Sequence, residues 1–301
     1  MFKKIINENK ASLAISMAIL AAALYGISSP LSKLLLEKIS PTFMAALLYL
    51  GAGMGMLIVN IIKLVNRSET LEARMTKKEL PYIIGMIILD IAAPIFLMFG
   101  LTMTTADNAS LLNNFEIVAT SLIALFVFKE AIGRRMWIAI LLITVSTILL
   151  SVKDFSSLTF SLGSLFVIAA CLCWGLENNC TRMLSLKDPL QIVVVKGFGS
   201  GIGSLLISLV LREVNSDLLY IFLALMLGFV SYGLSIFFYI KAQRELGAAR
   251  TSTYYAAAPF IGVLISWLVL QEPITAMFVF ALIVMLIGTY FAITEKHQHS
   301  H

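Results

Sequence analysis

The sequence has few charged residues for its length. Only 13% of its 301 residues are charged, whereas 59% are hydrophobic. A soluble domain usually carries about 25% charged residues, and a folded soluble monomer of this size leaves much of its chain in contact with water. The composition therefore excludes an ordinary soluble globular fold. It fits a protein embedded in a lipid bilayer, where each helix needs roughly 20 apolar residues to cross.

The groups that serve most enzymes and metal sites are scarce as well. No stretch of the form G-x-x-x-x-G-K-[ST] occurs, which excludes ATP hydrolysis by a P-loop. The three histidines all lie in the C-terminal tail, at His297, His299 and His301. The three cysteines share one apolar run, and their odd number argues against a disulfide framework. We predict no cofactor and no metal.

Ten apolar runs are present, and they predict an all-α integral membrane protein with ten transmembrane helices. The runs fall near 11–36, 42–64, 80–102, 106–128, 135–152, 162–184, 190–211, 218–241, 248–270 and 274–293. The first run is too long for the apolar region of a signal peptide, which spans about 7–15 residues. We therefore interpret it as the first span.

The basic residues predict the orientation. With the N-terminus inside, most lysines and arginines fall in inner segments, whereas the outer segments carry Lys33, Lys38, Lys153 and Arg212. An excess of basic residues in cytoplasmic loops is the general rule. We predict a multi-pass protein of the inner (cytoplasmic) membrane with both termini in the cytoplasm. The net charge of +5 is then a matter of orientation, and no nucleic-acid partner is expected.

The two halves of the chain resemble each other, which predicts an internal repeat. The matching segments are Leu24–Gly26 with Cys173–Gly175, Gly51–Gly55 with Gly199–Gly203, and Phe128–Ile132 with Leu270–Ile274. Residues 1–154 form the first predicted repeat and residues 155–301 the second. Because each holds an odd number of spans, five, the second repeat must cross the membrane in the opposite sense. Inverted repeats are a known basis for alternating access, with the binding site near the bilayer midplane.

One segment of each repeat carries a family resemblance. The segment Ala248–Glu272 contains Pro259 and ends in Glu272-Pro273, and its counterpart Asp107–Glu130 has a similar length and ending. With the repeat layout, this resembles the drug/metabolite transporter superfamily, in its EamA-type branch of ten-helix permeases with two five-helix repeats. The resemblance implies a secondary transporter. Members of the family move amino acids, amines, nucleosides and drugs, often outward.

Two carboxylates are predicted near the bilayer midplane. Asp90 and Glu116 each lie about ten residues into a span, hence roughly 15 Å deep. Asn113, Glu116 and Thr120 share one helix face. A carboxylate among amides holds an ammonium group, and it exchanges that group for a proton when burial favours its neutral form. We predict that Glu116, Asn113 and Asp90 bind substrate and that Glu116 and Asp90 couple transport to protons; the alternative is a structural polar patch.

Span six contributes a second polar group, Glu177 and Asn178, which we also predict to bind substrate. Lys196 in span seven lies at a depth that matches Glu177. Two interpretations stay open for Glu177: a neutralising ion pair with Lys196, or a role with substrate or protons. Ionisable groups inside a membrane usually pair or face a cavity.

Aromatic residues complete the predicted substrate site: Tyr25, Trp174, Tyr232 and Tyr254. Aromatic ring faces suit organic cations, although packing or lipid contact is the alternative for each ring. Trp174 and Tyr254 are predicted to line a cavity.

Together these features predict a secondary active transporter of small organic metabolites or drugs. The expected substrate is amine- or amino-acid-like, exported with proton coupling by alternating access. The alternatives are a channel or an accessory membrane subunit. An intramembrane enzyme is less favoured, because no nucleophile with a neighbouring base stands out in the spans. The expected partners are the lipid bilayer, the substrate and protons, and the sequence leaves monomer and homodimer open.

Overall fold

The computed structural model is built almost entirely from helices. It describes residues 2–65, 73, 75–129, 132–154, 159–184, 187–214, 217–246, 251 and 254–294. Within these residues, nine helices are long and apolar enough to cross a bilayer, and a shorter apolar helix, Ala258–Leu270, occupies the position of the ninth predicted span. This agrees with the predicted all-α membrane fold and its ten spans.

The helices follow the predicted spans closely in their bounds. They are α1 (Phe2–Gly26), α2 (Ser28–Leu35), α3 (Pro41–Val65), α4 (Leu80–Met103), α5 (Ala106–Leu112), α6 (Phe115–Phe128), α7 (Arg134–Ser151), α8 (Leu162–Arg182), α9 (Pro189–Val210), α10 (Leu218–Gly228), α11 (Ser235–Leu246), α12 (Ala258–Leu270) and α13 (Ala276–Ile293). A 3₁₀ turn, Lys77–Glu79, precedes α4, and a π-helical stretch, Phe229–Leu234, joins α10 to α11. Two short antiparallel strands, β1 (Val152–Asp154) and β2 (Thr159–Phe160), connect the two halves.

Spans one and four are each broken into two helices, which the apolar runs do not reveal. In span four, the turn at Asn113 and Asn114 separates α5 from α6. The Asn114 side-chain amide donates to the Leu111 carbonyl at 3.2 Å, as expected of asparagine, which competes for backbone hydrogen bonds. In span one, α1 ends at Gly26. Because Pro30 has no N–H, the Gly26 carbonyl cannot receive the usual helical bond from residue 30.

Span nine has an interruption at a position that the repeat relates to the break in span four. A turn at Ala256 and Ala257 precedes α12, which carries Pro259 in its first turn. The ends of the two spans also match. Lys129 and Gln271 both adopt left-handed backbone, with φ of 56° and 52°, one residue before the paired glutamates of the repeat. The internal repeat is therefore visible in backbone conformation as well as in sequence.

Helix packing follows the twofold relation that the repeat predicts. The most extensive contacts join α3 with α9, α7 with α13, α4 with α8 and α1 with α11. In terms of spans these are pairs 2–7, 5–10, 3–6 and 1–8. Exchanging the two halves leaves the first two pairs unchanged and converts the third into the fourth. The boundary at residues 154 and 155 stays a prediction, because residues 155–158 lie outside the described part.

Glycines bring the backbone of α3 against its neighbours. A Cβ atom added to Gly51 would lie 2.0 Å from the carbonyl oxygen of Leu225, and one added to Gly228 would lie 2.0 Å from that of Leu48. Small residues allow this close approach of membrane helices. The α3–α10 contact is therefore made by backbone atoms, which have no room to move aside.

We expect Gly51→Ala to lower the free energy of unfolding by about 2–3 kcal/mol, because the new methyl group overpacks a backbone contact. Thermal unfolding of the purified protein in detergent measures the change. Gly85→Ala is the matched control, since its Cβ would meet only the Cys180 sulfur, at 3.2 Å. Equal stability of the two variants would show that α3 and α10 do not pack this closely.

Glu272 does not act on the helix that follows it. The sequence suggests that Glu130 and Glu272 complement the dipole of the next helix. In the structure, the Glu272 carboxylate accepts hydrogen bonds from the backbone N–H groups of Ala106 and Asp107, at 2.9 and 3.0 Å, and so caps the start of α5. Burial raises the pKa of the Glu272 carboxyl, and these two donors oppose that rise. Glu130 lies outside the described residues.

Candidate functional site

Three charged side chains from α4, α8 and α9 meet inside the protein. The Lys196 ammonium lies 3.0 Å from a carboxylate oxygen of Asp90 and 3.0 Å from one of Glu177. Asp90 is fully buried, and Glu177 and Lys196 are 2% and 8% exposed. The ion pair considered for Glu177 and Lys196 is therefore present. Asp90 shares the same lysine, and we call the three residues the buried triad.

Neutral hydroxyl groups add hydrogen bonds to the buried triad. Tyr49 donates to the second carboxylate oxygen of Asp90 at 2.9 Å, and Thr181 donates to Glu177. Buried charges are stable only when they are paired and hydrogen-bonded. Each carboxylate of the triad is paired with Lys196 and accepts one hydroxyl hydrogen bond, and the triad ties together three helices.

Glu116 is surrounded differently. The Asn178 side-chain amide donates to Glu116 at 2.6 Å and to Thr120 at 3.2 Å. Among the described residues, no lysine or arginine forms an ion pair with Glu116. Glu116 is also partly exposed, unlike Asp90 and Glu177. Of these three carboxylates, it is the most exposed, and it forms no ion pair with a described lysine or arginine.

The local charge balance follows from these contacts. Asp90, Glu116 and Glu177 together bring three carboxylates, whereas Lys196 brings one positive charge. An uncompensated charge in a transmembrane segment costs several kcal/mol. The three carboxylates thus exceed the one lysine by two negative charges, and Glu116 is the carboxylate of the three that forms no ion pair with a described lysine or arginine.

A row of tyrosine rings runs from the buried triad toward α12. Successive ring centroids are 5.3 Å apart for Tyr49 and Tyr232, 5.8 Å for Tyr232 and Tyr25, and 5.8 Å for Tyr25 and Tyr255. The Tyr232 hydroxyl is buried without a hydrogen-bond partner among the described residues. Tyr25 and Tyr232, both predicted site residues, thus lie in one row, and the row adds Tyr49 and Tyr255.

Tyr49 and Tyr255 are not among the site residues predicted from the sequence. Tyr255 adjoins the predicted Tyr254, and Tyr49 lies within the apolar run of span two. A polar-tipped ring inside a transmembrane run is the signal that singles out both.

The two rings expected to line a cavity lie elsewhere. Trp174 is 5% exposed and packs in the main hydrophobic core with Cys171 and Leu112. Tyr254 is partly exposed, just before the turn that precedes α12. Their role in binding stays a prediction, and in this conformation Trp174 acts as a packing ring.

A small, partly open cavity lies beside the predicted site residue Asn113. Its volume is about 10 Å³, and it is lined by Tyr25, Gly26, Ser29, Ser110, Asn113, Ala258 and Pro259. This is about the space of one water molecule. An organic substrate does not fit in this volume.

The predicted site residues thus form two neighbouring groups. Glu116 and Asn178 are in direct contact, and Glu177 and Asp90 are joined through Lys196. Asn178 follows Glu177 on α8 and so connects the groups along one helix. Asn113 lies at the start of the break in span four, three residues before Glu116.

Comparison with known proteins agrees with this architecture. The sequence profile described as "EamA-like transporter family" matches the chain twice, over residues 12–152 and 161–294. An uncharacterized transporter of Methanothermobacter thermautotrophicus is 28% identical over 288 residues, covering 90% of this chain and 83% of the relative. The uncharacterized transporter YyaM of Bacillus subtilis is 22% identical over 273 residues, covering 87% and 88%.

A solved crystal structure shares the fold. It aligns with 96% of this chain and 99% of its own, with a TM-score of 0.67 at 15% sequence identity. At that identity the likeness concerns the fold alone. The two profile matches together span most of the chain and coincide with its two halves, and they show that this protein belongs to the EamA-like transporter family.

Proposed function

We propose that this transporter exports small organic cations, amines or amino-acid-like metabolites, in exchange for protons. The observation that carries the proposal is Glu116, a partly exposed carboxylate that accepts a hydrogen bond from the Asn178 amide and forms no ion pair with a described lysine or arginine. A carboxylate in this setting binds a substrate ammonium group through a charge-assisted hydrogen bond. The tyrosine row beside it offers ring faces that attract organic cations.

Exchange follows from the chemistry of a single carboxylate. Glu116 neutralises either one proton or one ammonium group, and binding of one weakens binding of the other by the same factor. A substrate arriving from the cytoplasm displaces the proton, and a proton from the outside displaces the substrate. Alternating access between the repeats would expose Glu116 to each side in turn.

The buried triad has a structural part in this proposal. Lys196 holds Asp90 and Glu177 at 3.0 Å each and ties α4, α8 and α9 together. Glu177 adjoins Asn178, which donates to Glu116. The triad therefore positions the amide that orients the binding carboxylate. We retain Asp90 as a second proton-binding candidate, because Asp90 and Glu177 share one lysine.

The orientation belongs to the same proposal. We place both termini in the cytoplasm and the protein in the inner membrane, on the strength of the basic residues in the predicted inner segments. In this orientation the end of span nine at Glu272 faces outward.

A ligand screen tests the proposed function. We expect amines and amino-acid-like cations to raise the melting temperature of the purified protein at pH 8 and to lose this effect at pH 5, where protons compete for Glu116. A ligand that binds only the folded state adds about 2.7 kcal/mol of stability at a hundredfold excess over its dissociation constant.

Each active amine has a matched control in the alcohol of the same carbon skeleton. The alcohol keeps size and apolar area but lacks the positive charge. Equal stabilisation by amine and alcohol at both pH values would contradict recognition by a carboxylate.

A further inference from the structure

We propose that the small cavity beside Asn113 is a binding site for a single dehydrated sodium ion, distinct from the organic-cation site at Glu116. This inference rests on three broken spans that meet at the cavity, where lining residues carry buried oxygen atoms without hydrogen-bond partners among the described residues. The ion site stands by itself; only its link to transport rests on the proposed function.

Every residue that lines the cavity lies at or near a helix interruption. Tyr25, Gly26 and Ser29 flank the break between α1 and α2; Ser110 and Asn113 lie at the end of α5; Ala258 and Pro259 begin α12. Irregular backbone at membrane depth is tolerated where it lines a cavity. Broken membrane helices present unwound carbonyl groups that coordinate small cations.

Oxygen atoms of three residues that line this cavity lack their usual partners. Ser110 Oγ and Asn113 Oδ1 have no hydrogen-bond partner among the described residues, and these two residues are 1% and 7% exposed. The Gly26 carbonyl lacks the helical hydrogen bond from residue 30, because Pro30 has no N–H. Buried polar atoms without partners are rare in proteins and call for a reason. Coordination of a cation by these three oxygen atoms accounts for their lack of hydrogen-bond partners.

Size and charge identify the kind of ion. A volume of about 10 Å³ admits one particle of the size of water and leaves no room for the carbon chain of an amine. All seven lining residues are uncharged, whereas dedicated calcium and magnesium sites use carboxylates. Neutral oxygens around a space this small fit a monovalent ion, and sodium fits better than the larger potassium.

The site lies where an ion affects transport. Asn113 ends α5, and Glu116 lies in the first turn of α6 beyond the break. An ion held by Gly26, Ser110 and Asn113 fixes span one against span four on one side of that break. Sodium binding then favours one arrangement of the two half-helices and, with it, one orientation of Glu116.

The first experiment measures the melting temperature of the purified protein against sodium chloride concentration, with caesium chloride keeping the ionic strength constant. A titration with potassium chloride against the same caesium chloride background runs in parallel. We expect saturable stabilisation by sodium, with potassium needing at least about a tenfold higher concentration for half effect. Sodium and potassium curves that do not depart from the caesium baseline would overturn the proposal and identify the cavity as a water site.

Variants locate the ion. We expect Ser110→Ala to raise the sodium concentration for half effect at least about tenfold, since it removes one oxygen from a charged ligand. Ser204→Ala is the matched control: Ser204 is fully buried and its hydroxyl lacks a partner, but it does not line the cavity. If Ser110→Ala does not fold, Ser110→Cys keeps the volume and replaces the hard oxygen by soft sulfur, with the same expected result.

A third variant separates this inference from the proposed function. Glu116→Gln is expected to lose stabilisation by amines and to keep stabilisation by sodium. If instead the sodium effect disappears in Glu116→Gln and persists in Ser110→Ala, the ion binds at the carboxylate and the proposal is wrong. Absence of any amine effect, with the sodium pattern intact, would contradict the proposed substrate alone.

Discussion

Lys196→Met is expected to lower the free energy of unfolding by about 3–5 kcal/mol, the usual cost of removing one partner from a buried ion pair. The substitution keeps an unbranched apolar side chain but leaves Asp90 and Glu177 without a cation, although both are almost completely buried. Two neighbouring carboxylates must then take up protons or repel each other. Thermal or denaturant unfolding of the purified protein measures the loss.

The geometry of the triad determines which combined variants recover stability. Glu177→Gln together with Lys196→Met still leaves Asp90 unpaired, so this double variant is expected to recover only part of the loss. Adding Asp90→Asn removes the last charge, and we expect the triple variant to be the most stable of the three. The non-additive energies of such a set measure the coupling directly. Simple additivity would show that Lys196 does not pair with the two carboxylates.

A surface pair offers a control with the same substitution. Lys187 lies 3.1 Å from Glu79, and both side chains are accessible, at 19% and 17%. We expect Lys187→Met to cost at most about 1 kcal/mol, because exposed ion pairs contribute little. If Lys196→Met were no more destabilising than this control, water would have to reach the triad.

The sequence predicted the spans well because the bilayer imposes a strict requirement. Every backbone polar group in the hydrocarbon must be satisfied within the protein, so a long apolar run is a helix. The starts of α3 and α9 at Pro41 and Pro189 were visible for a second reason, since proline is favoured in the first turn. These are local properties, and a single sequence carries them.

The helix breaks escaped prediction because hydrophobicity continues through them. Gly26 and the pair Asn113–Asn114 lie inside apolar runs long enough to span the membrane. A length criterion therefore returns one helix where the structure has two. Pro30 carried the relevant signal for span one, and adjacent asparagines carried it for span four.

The depth of each site residue in the membrane could be predicted, because depth follows from counting residues along a span. The contacts between site residues could not, because they depend on how each helix is rotated about its axis. Matching depth correctly suggested that Glu177 and Lys196 form a pair. The same count gave Asp90 and Glu116 equal depths but did not predict the contact between Asp90 and Lys196 that the structure shows. Which helices adjoin is decided by packing across the two repeats, such as the contact between α4 and α8.

Charge compensation divides the polar residues of the core into two classes. Asp90, Glu177 and Lys196 satisfy one another and stabilise the packing of three helices. Glu116 has an amide in place of a cation, and it lies on the span that is broken next to it. In the proposed function, the three paired residues stabilise the helix packing and Glu116 exchanges its ligand.

Glu116→Gln is expected to abolish both substrate flux and coupled proton movement, with a loss of at least about a hundredfold. Truncating one partner of a buried, hydrogen-bonded charge pair costs 2–5 kcal/mol or more, and each 1.4 kcal/mol is tenfold in binding. Glutamine keeps the shape and an oxygen that accepts from Asn178, so the fold is expected to be intact. The measurement uses proteoliposomes with an imposed pH gradient and an amine identified by the ligand screen.

Two comparisons make this result specific to the charge of Glu116. Glu37→Gln removes an exposed carboxylate and is expected to leave flux unchanged. Asn178→Leu keeps the carboxylate but removes its amide donor, so we expect weaker substrate binding with proton coupling retained. The unfolding temperature of Glu116→Gln should equal or exceed that of the native protein, because the substitution removes a carboxylate that forms no ion pair with a described lysine or arginine. Proton-driven flux that persists in Glu116→Gln would assign the coupling carboxylate to Asp90 instead.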